Sequence, residues 1–526
     1  MTAAVESSDG DAGGGRPGGG ALPRPLAPAW TALLAAYAVL AIGTCLAAAI
    51  LWGPWLDEFY SLYATDPGLP FPDAWTAWAT DNHPFYFSLL TRQLRDLLPL
   101  SLIGLRLANL VPLLAVIGVA GLCWRRDREG RLLVALSLVL LLSSDALFVR
   151  FADFRSYFTL LAASYANALA TAWLFRAPAM RRFAIGLWLA SAAVVANSHY
   201  LGTLFAALQA AVLAVILGIQ GRRRLALGLA AATGLLTLPS VGFALYQSRH
   251  ILSKTGGHFW VQSTTGDALA MIGDALAEQT GFNLVAWATC LAAAAWALGR
   301  ERGGGLRALG PALRCGSVLP GLLAVLGAGL AFAAVLLLVN LHTPIFVPRY
   351  LVPLNGPLCV GLALVASRPG PAPLRIAVPL LVLINAALAV ALLRTADLRL
   401  PPQRWNATAS YVARQVQACP TTRVFAIDSM HSGAPRFSRV WITGYRYLAR
   451  RHGFDVTPLP TSGSVASNPA GPCPELFWLE HLLGVPPDAS GVAWMRRAGI
   501  DFISDPRRTG TFWGESGGVI VVSPAG

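Results

Sequence analysis

Three short stretches of an otherwise apolar chain carry side chains that could transfer protons or bind anions. Their reactive residues are Asp57 and Glu58, Asp81 and His83, and Asp153 and Arg155. An ionisable side chain in or beside a membrane-spanning segment is costly, so its position is informative. A carboxylate that water can reach can accept the proton of a reacting hydroxyl, and the guanidinium of arginine suits phosphate or carboxylate oxygens.

Each stretch also has an explanation that involves no chemistry. Asp57 and Glu58 could mark the end of an apolar helix. Asp153 and Arg155 could be a structural ion pair, and His83 could lie at a helix start with proline in the first turn. The aromatic residues around them could belong to the aromatic belt of a membrane interface. Convergence favours a functional site, because the topology derived below brings all three stretches to one side of a membrane.

The composition requires lipid as the solvent for most of the chain. Of 526 residues, 55% are apolar and 13% are charged, against about 25% charged in a soluble globular domain. This excludes a disordered protein, a coiled coil and an ordinary water-soluble enzyme. About 20 apolar residues in a helix cross the ~30 Å hydrocarbon core of a bilayer. Such runs predict eleven transmembrane helices, at 31–52, 101–123, 131–149, 155–175, 184–198, 200–219, 225–246, 281–299, 317–340, 351–366 and 374–393.

The arginines indicate how the chain is oriented. Every connector that the topology places in the cytoplasm carries arginine, as in GRRR (221–224), whereas the connectors 53–100, 247–280 and 341–350 hold few basic residues. This is the positive-inside asymmetry, and it accounts for the net charge of +14 without a nucleic-acid partner. The Gly/Pro-rich residues 1–29 are predicted to be a disordered cytoplasmic tail. The three acidic stretches then lie together at the outer interface.

A second domain follows the predicted transmembrane domain of residues 30–395. Residues 396–526 contain prolines, polar residues and short β-like runs, which predict a small α/β domain outside the membrane. Helices are compatible with 404–418, 436–452 and 475–484. Cys419 and Cys473 both lie in this domain, where they could pair in an oxidising periplasm or remain buried thiols. The expected fold class is an all-α polytopic membrane protein with a small C-terminal α/β extracytoplasmic domain.

The order of the motifs resembles that of a known family. The motifs that follow the acidic pair are DNHPFYF (81–87), Arg106-Leu107, FRSYF (154–158) and PRYLVP (348–353). In this order and topology, residues 30–395 resemble the GT-C glycosyltransferases of the protein O-mannosyltransferase and lipid A aminoarabinose-transferase type. The family often has two prolines after the histidine, where this chain has Pro84-Phe85.

The resemblance implies an enzyme in a bacterial inner membrane that acts on its periplasmic side. It would take a sugar from a polyprenyl-phosphate donor and transfer it, with inversion, to a hydroxyl of a glycan, glycolipid or protein acceptor. Asp57 matches the catalytic aspartate of the family and would be the base. Glu58 would orient groups or bind the acceptor, and Asp153 is the second candidate carboxylate.

The remaining candidates would bind the two substrates. A lipid-phosphate leaving group needs cationic or hydrogen-bonding partners, for which the outer segments offer Arg349, Tyr350, Lys254, Arg249 and His258. Arg349 ranks above Lys254, because its P-R-Y context resembles the family. The candidates for binding the acceptor or the sugar are Asp81, His83, Tyr86, Arg155 and Tyr157. No metal site is predicted, although the carboxylates and His83 could bind a divalent cation.

Two other functions fit a polytopic chain with a basic inner face. A transporter or lipid-linked-sugar flippase would place its charges near the bilayer midplane on broken helices. The predicted spans are nearly free of carboxylates, and the polar groups gather at one face, which favours the enzyme. A non-catalytic scaffold would leave Asp57, Glu58 and Asp153 without a purpose.

Overall fold

The computed structural model describes most of the membrane region and parts of the outer domain. It covers residues 28–255 except 82 and 99, 265–280, 318–367 except 344 and 346, 405–427, 435–459, 472–480, 509–513 and 517–523, with isolated positions between 288 and 390. The predicted tail 1–29 lies almost entirely outside the described residues. The apolar runs 281–299 and 374–393 are described only at isolated positions.

Helices form the membrane region. In chain order they are α1 (Pro28–Leu51), α2 (Leu56–Ala64), α3 (Phe71–Ala79), α4 (Phe85–Leu97), α5 (Leu102–Leu107), α6 (Leu110–Arg126), α7 (Arg131–Leu142), α8 (Asp145–Phe151), α9 (Tyr157–Arg176), α10 (Arg181–Ser198), α11 (Tyr200–Ile219), α12 (Arg223–Thr255), α13 (Thr265–Thr280), α14 (Val318–His342) and α15 (Asn355–Ala366). Two 3₁₀ turns, Pro178–Met180 and Pro348–Leu354, precede α10 and α15.

Eight helices in the described part of the chain are long and apolar enough to cross a membrane. A ninth span arises if α7 and α8, which meet at an angle of 59° around Ser143 and Ser144, cross together. These spans correspond to nine of the eleven predicted runs, including the closely spaced pair 184–198 and 200–219. The prediction of a multi-pass membrane protein is therefore confirmed.

Helix α9 lies at the centre of the bundle. Its membrane window is 94% buried, because α10, α14, α15 and α6 surround it. A helix enclosed in this way is apolar on all sides, and α9 correspondingly has no polar stripe. The segment before Tyr157, which carries Asp153 and Arg155, is therefore anchored to the most buried element of the protein.

The predicted loop 53–100 contains the three short helices α2, α3 and α4, which follow the opening span. Two arginines of α4 fasten them together through backbone carbonyls. Arg92 donates to the carbonyls of Asp66 and Leu69 at 2.8 and 2.6 Å, and Arg95 donates to the carbonyl of Leu62 at 2.6 Å. The α2–α3 turn is thus held against α4.

The C-terminal region forms the predicted α/β domain. Its described elements are α16 (Asn406–Ala418), β1 (Arg423–Ile427), α17 (Pro435–His452), β2 (Thr457–Pro458), β3 (Glu475–Glu480), β4 (Thr509–Trp513) and β5 (Gly517–Val522). The sheet order is β2-β1-β3-β5-β4, with β1 parallel to β2 and β3, and β5 antiparallel to β3 and β4. The helix expected at 475–484 is wrong over its described part, because all six residues of β3 are buried between two strands.

The outer domain packs directly on α2. Phe59 of α2 lies 4.8 Å from the ring of Trp405, and α17 crosses both at Gly444. A Cβ at Gly444 would come within 2.7 Å of both aromatic rings, so only glycine allows this approach. Cys419 and Cys473 form a disulfide at one edge of the domain. The helix that carries Asp57 is thus clamped between the membrane bundle and the outer domain.

Candidate active site

The first helix after the opening span holds Asp57 at the end of the bundle where α1 ends. Gly53 and Pro54 are not helical and separate α1 from α2. Glu58 caps α2, because its carboxylate accepts a hydrogen bond from the backbone N–H of Trp55 at 3.3 Å. Acidic residues in the first turn are also favoured by the helix dipole. The sequence L-D-E thus starts a helix and presents two carboxylates at its N-terminal end.

Glu58 is fully buried and bound to Arg106. The Nε and Nη2 atoms of Arg106 donate to its two carboxylate oxygens at 2.7 and 2.5 Å. The backbone N–H of Phe154 donates to Glu58 Oε1 at 2.8 Å. Arg106 also donates to three carbonyls at the end of α1, those of Ala49, Trp52 and Gly53. The pair joins α1, α2, α5 and the segment before α9, and we refer to it as the Glu58–Arg106 junction.

Asp57 faces two guanidinium groups. Its Oδ2 atom lies 3.4 Å from Arg349 Nη2 and 4.0 Å from Arg155 Nη2. Its side chain is 23% exposed, compared with 11% for Asp81 and for Asp153. Asp57 is therefore the most accessible of these carboxylates.

Arg155 connects Asp57 to the second acidic stretch. Its Nη1 atom lies 3.5 Å from Asp81 Oδ2 and donates to Ser61 Oγ at 3.1 Å. Its Nη2 atom lies 3.3 Å from His83 Nδ1, which is also 3.3 Å from Asp81 Oδ1. Burial, followed by the nearby charge of Arg155, lowers the pKa of His83. The imidazole is therefore neutral at physiological pH.

Asp153 pairs with Arg150 and not with Arg155. Arg150 Nη1 lies 3.4 Å from Asp153 Oδ2, and the two residues are spaced i, i+3 at the end of α8. Burial raises the pKa of Asp153 to about 7, and the charges of Arg150, Arg106 and Arg349 offset that rise only in part. The carboxyl therefore changes charge close to neutral pH, unlike an ordinary aspartate.

Aromatic rings enclose the cationic side of the site. The guanidinium carbon of Arg349 lies 5.2 Å from the ring centre of Trp55 and 6.0 Å from that of Tyr157. The buried ring of Tyr157 lies 5.2 Å from His199, and His199 lies 5.8 Å from Tyr350. Cation–π contacts of this kind hold a guanidinium in place without removing its hydrogen-bond donors.

Four carboxylates and four arginines thus meet at the end of the bundle where α1 ends and α9 begins, and we call this group the ionic cluster. Its members are Asp57, Glu58, Asp81, Asp153, Arg106, Arg150, Arg155 and Arg349. Buried charges persist only when they are paired, and each charge of the cluster has an oppositely charged partner. Its most accessible pair, Asp57 and Arg349, combines a proton acceptor with a group that binds phosphate oxygens.

The remaining predicted residues lie elsewhere or cannot be placed. Tyr86 stacks on Phe85 and lines a separate apolar cavity bounded by α4, α6, α9 and α10. Arg249 is exposed near the end of α12 and makes no ion pair with the cluster among the described residues. His258 and the side chain of Lys254 lie outside the described residues.

The sequence reasoning missed three residues of the site. Arg106 was part of a motif with no assigned role, and its partner Glu58 is 48 positions away. Arg150 precedes Asp153 by three residues, a spacing that could have indicated the pair. His199 is the single residue between two apolar runs, and its position in so short a connector was the available signal.

A metal site has no support in the part of the chain that the structure describes. No group of three or more His, Cys, Asp or Glu side chains there could hold a metal ion. Asp81 and His83 do approach one another, but Arg155 occupies the position next to both. A cation bound there would face the positive charge of the arginine.

Comparison with solved structures identifies the fold. Two crystal structures of ArnT from Cupriavidus metallidurans, one bound to undecaprenyl phosphate and one in the apo state, match with TM-scores of 0.52 and 0.54 and 15% sequence identity. Each match covers 94% of this chain and 98% of the ArnT chain. ArnT, a lipid A aminoarabinose transferase, is a GT-C glycosyltransferase, so the fold class implied by the sequence resemblance is confirmed. No protein-family model and no curated protein matches the chain.

Proposed function

We propose that the protein is a membrane-embedded glycosyltransferase that moves a sugar from a polyprenyl-phosphate donor to an acceptor hydroxyl at the outer face. The observation that carries this proposal is the pairing of Asp57 with Arg349 at the most accessible point of the ionic cluster. One residue can accept a proton and the other can bind a phosphate. The ArnT fold, which in one crystal structure holds undecaprenyl phosphate, supports the choice of donor.

The donor phosphate binds Arg349 and Tyr350. Arginine presents a planar set of donors that matches phosphate oxygens, and Trp55 and Tyr157 keep it oriented. When the donor phosphate binds the guanidinium of Arg349, that arginine no longer neutralises Asp57. The carboxylate then becomes available to the acceptor, so donor binding prepares the base.

The reaction is a single displacement at the anomeric carbon. The acceptor oxygen forms a bond to this carbon while the bond to the phosphate oxygen breaks, and the hydroxyl proton passes to Asp57. Proton acceptance by such a base contributes ~10²–10⁴-fold to the rate. The negative charge that remains on the lipid phosphate is stabilised by Arg349. The configuration at the anomeric carbon inverts, because no covalent enzyme intermediate intervenes.

The other carboxylates position these groups. Glu58 has its oxygens occupied by Arg106 and two backbone N–H groups, so it holds α2 in register and takes no proton. Asp81 holds Arg155 beside Asp57. Asp153 neutralises Arg150 behind the site.

The C-terminal domain supports the proposed orientation. Cys419 and Cys473 are paired, and oxidising conditions outside the cytoplasm favour such a bond. Because this domain packs on α2, Asp57 lies on the same side of the membrane. The site accordingly faces the periplasm of a bacterial inner membrane. The transporter hypothesis has no comparable support, because the charges of the cluster lie near helix ends.

The test is the turnover of a lipid-linked sugar by the Asp57→Asn variant. Purified wild-type protein in lipid nanodiscs should release undecaprenyl phosphate from undecaprenyl-phosphate-linked sugars in the presence of envelope extract as the acceptor source. Asp57→Asn should lower the rate at least ~10²-fold, because it removes the base. The matched control is Asp66→Asn, because Asp66 is an exposed aspartate just after α2. This variant should retain the wild-type rate. Equal turnover by all three proteins would contradict the proposal.

A further inference from the structure

Helices α10 and α11 are joined by a single residue, His199. Its backbone is extended, with φ −158° and ψ 150°, between the C-terminal end of α10 and the N-terminal end of α11. The turn is possible because α11 approaches α10 closely at Gly202. A Cβ at Gly202 would lie 2.0 Å from the carbonyl oxygen of Val195. This connector places the imidazole of His199 in the interior, where 2% of the residue is exposed.

The hydrogen bond of the His199 ring fixes its tautomer. Nδ1 accepts a hydrogen bond from the backbone N–H of Leu201 at 3.1 Å, as an N-cap of α11. Since Nδ1 is an acceptor, the proton of the neutral ring is on Nε2. That Nε2–H is buried and makes no hydrogen bond with any described residue. A buried donor without a partner is destabilising, because it has lost its hydrogen bond to water.

Two further polar atoms nearby are in the same condition. His83 Nε2 and the hydroxyl of Tyr157 are buried and have no hydrogen-bond partner among the described residues. The rings of His83 and His199 are 4.4 Å apart, and Tyr157 lies 5.5 Å from His83 and 5.2 Å from His199. Three such atoms in one place indicate a site that a polar ligand completes.

The chemistry of the three atoms favours hydroxyl groups as the ligand. His199 Nε2–H can only donate, whereas the Tyr157 hydroxyl can both donate and accept. A phosphate oxygen at neutral pH only accepts, but a hydroxyl does both. The three rings also adjoin the proposed phosphate site, since His199 lies 5.8 Å from Tyr350 and Tyr157 lies beneath Arg349.

We propose that His199 is a specificity-determining residue whose Nε2–H, together with His83 and Tyr157, hydrogen-bonds the hydroxyl groups of the donor sugar. This inference rests on the proposed function, and it extends that function to recognition of the transferred group. A site built to bind a hydroxyl strongly disfavours a ligand that lacks it, because its own buried atoms are then left unpaired. The subsite would therefore select among sugars by the position of their hydroxyls.

The test compares two lipids on wild-type protein and a His199→Asn variant. Asparagine is a good N-cap, so its side-chain oxygen can still accept the Leu201 N–H while the Nε2–H is lost. The probes are bare undecaprenyl phosphate and undecaprenyl phosphate linked to glucose, mannose or arabinose. Binding to purified protein in nanodiscs is measured by calorimetry, and thermal melting verifies that the variant folds.

Wild-type protein should bind one of the sugar-linked lipids more tightly than undecaprenyl phosphate. His199→Asn should lower the affinity for that lipid ~10-fold, the cost of one buried hydrogen bond, and leave the affinity for undecaprenyl phosphate within twofold. Trp188→Phe is the matched control, because Trp188 Nε1 on α10 is also buried without a described partner but belongs to the apolar core. It should leave both affinities unchanged.

The other outcomes overturn the inference in distinguishable ways. If His199→Asn weakens both lipids equally, His199 contacts the phosphate or is merely structural. If it lowers the affinity for neither lipid, His199 only caps α11 and does not contact the donor. If wild-type protein binds all the lipids equally, the sugar subsite is rejected while the proposed function stands. If wild-type protein binds none of them, the proposed function fails as well.

Discussion

Neighbouring residues of the site differ in what surrounds them more than in their chemistry. Asp57 and Glu58 are adjacent carboxylates, yet Glu58 is fully buried against Arg106 and Asp57 is 23% exposed. Consecutive side chains on a helix point about 100° apart, so these two neighbours on α2 contact different partners. The residue type alone therefore does not determine which carboxylate is accessible to a substrate.

Asp153 provides a prediction about pH and stability. Its pKa of about 7 in the folded protein exceeds the value of about 3.9 for an unfolded chain. The carboxyl therefore favours folding fully below about pH 4, and this contribution is lost as the pH rises through 7, where a buried charge must form. Asp153→Asn removes the titration. The melting temperature of the variant minus that of the wild type should increase by a few degrees between pH 5 and pH 8.

The measurement is thermal unfolding of both proteins in the same buffers, so that other titrating groups cancel in the difference. A melting difference that is constant from pH 5 to pH 8 would contradict the assigned environment of Asp153.

At the scale of elements, the Glu58–Arg106 junction holds four parts of the chain in register. Removing one partner of a buried ion pair costs about 3–5 kcal/mol, because the other charge is left uncompensated. Glu58→Gln should therefore lower the melting temperature by roughly three to five degrees, since the unfolding entropy of a chain this long is about 1 kcal/mol per kelvin. Differential scanning fluorimetry of the purified protein measures this.

The control for Glu58→Gln is a single exposed charge of the C-terminal domain. Arg446 lies on α17 with its side chain exposed, and it makes no ion pair among the described residues. Surface substitutions change stability little, so Arg446→Gln should change the melting temperature by no more than about one degree. Similar effects of the two substitutions would show that the Glu58–Arg106 junction is not a special support of the fold.

The sequence predicted elements well where local physics decides them. Apolar runs of sufficient length became spans, and even the pair separated only by His199 forms two helices. The segment 475–480 was mistaken for helix-compatible, because a short apolar run has no reliable period and its burial in a sheet depends on distant strands. The three short helices of the first outer loop were not predicted either.

Site residues were predictable as types and positions but not as pairs. The three acidic stretches do meet in one place, as the arginine topology implied. A structural ion pair between Asp153 and Arg155 was one of the alternatives considered, but Asp153 pairs with Arg150 and Arg155 pairs with Asp81. Partners such as Glu58 and Arg106 come together only through tertiary packing, which no local pattern records.

At the scale of the whole molecule, the ionic cluster lies where the bundle meets the outer domain. The described cysteines follow this division, since Cys45, Cys123 and Cys359 are buried thiols in the spans, whereas the disulfide is in the C-terminal domain. Phe59 packs into the domain core from the same helix that presents Asp57. The outer domain is therefore part of the architecture that positions the proposed base.

The most direct measurement is the location of undecaprenyl phosphate in an experimental structure of the full chain in lipid nanodiscs. The account predicts phosphate oxygens at about 2.7–3.2 Å from the guanidinium of Arg349 and an Asp57 carboxylate released from that arginine. A lipid phosphate bound elsewhere on the protein, with the Asp57–Arg349 pair intact, would contradict it.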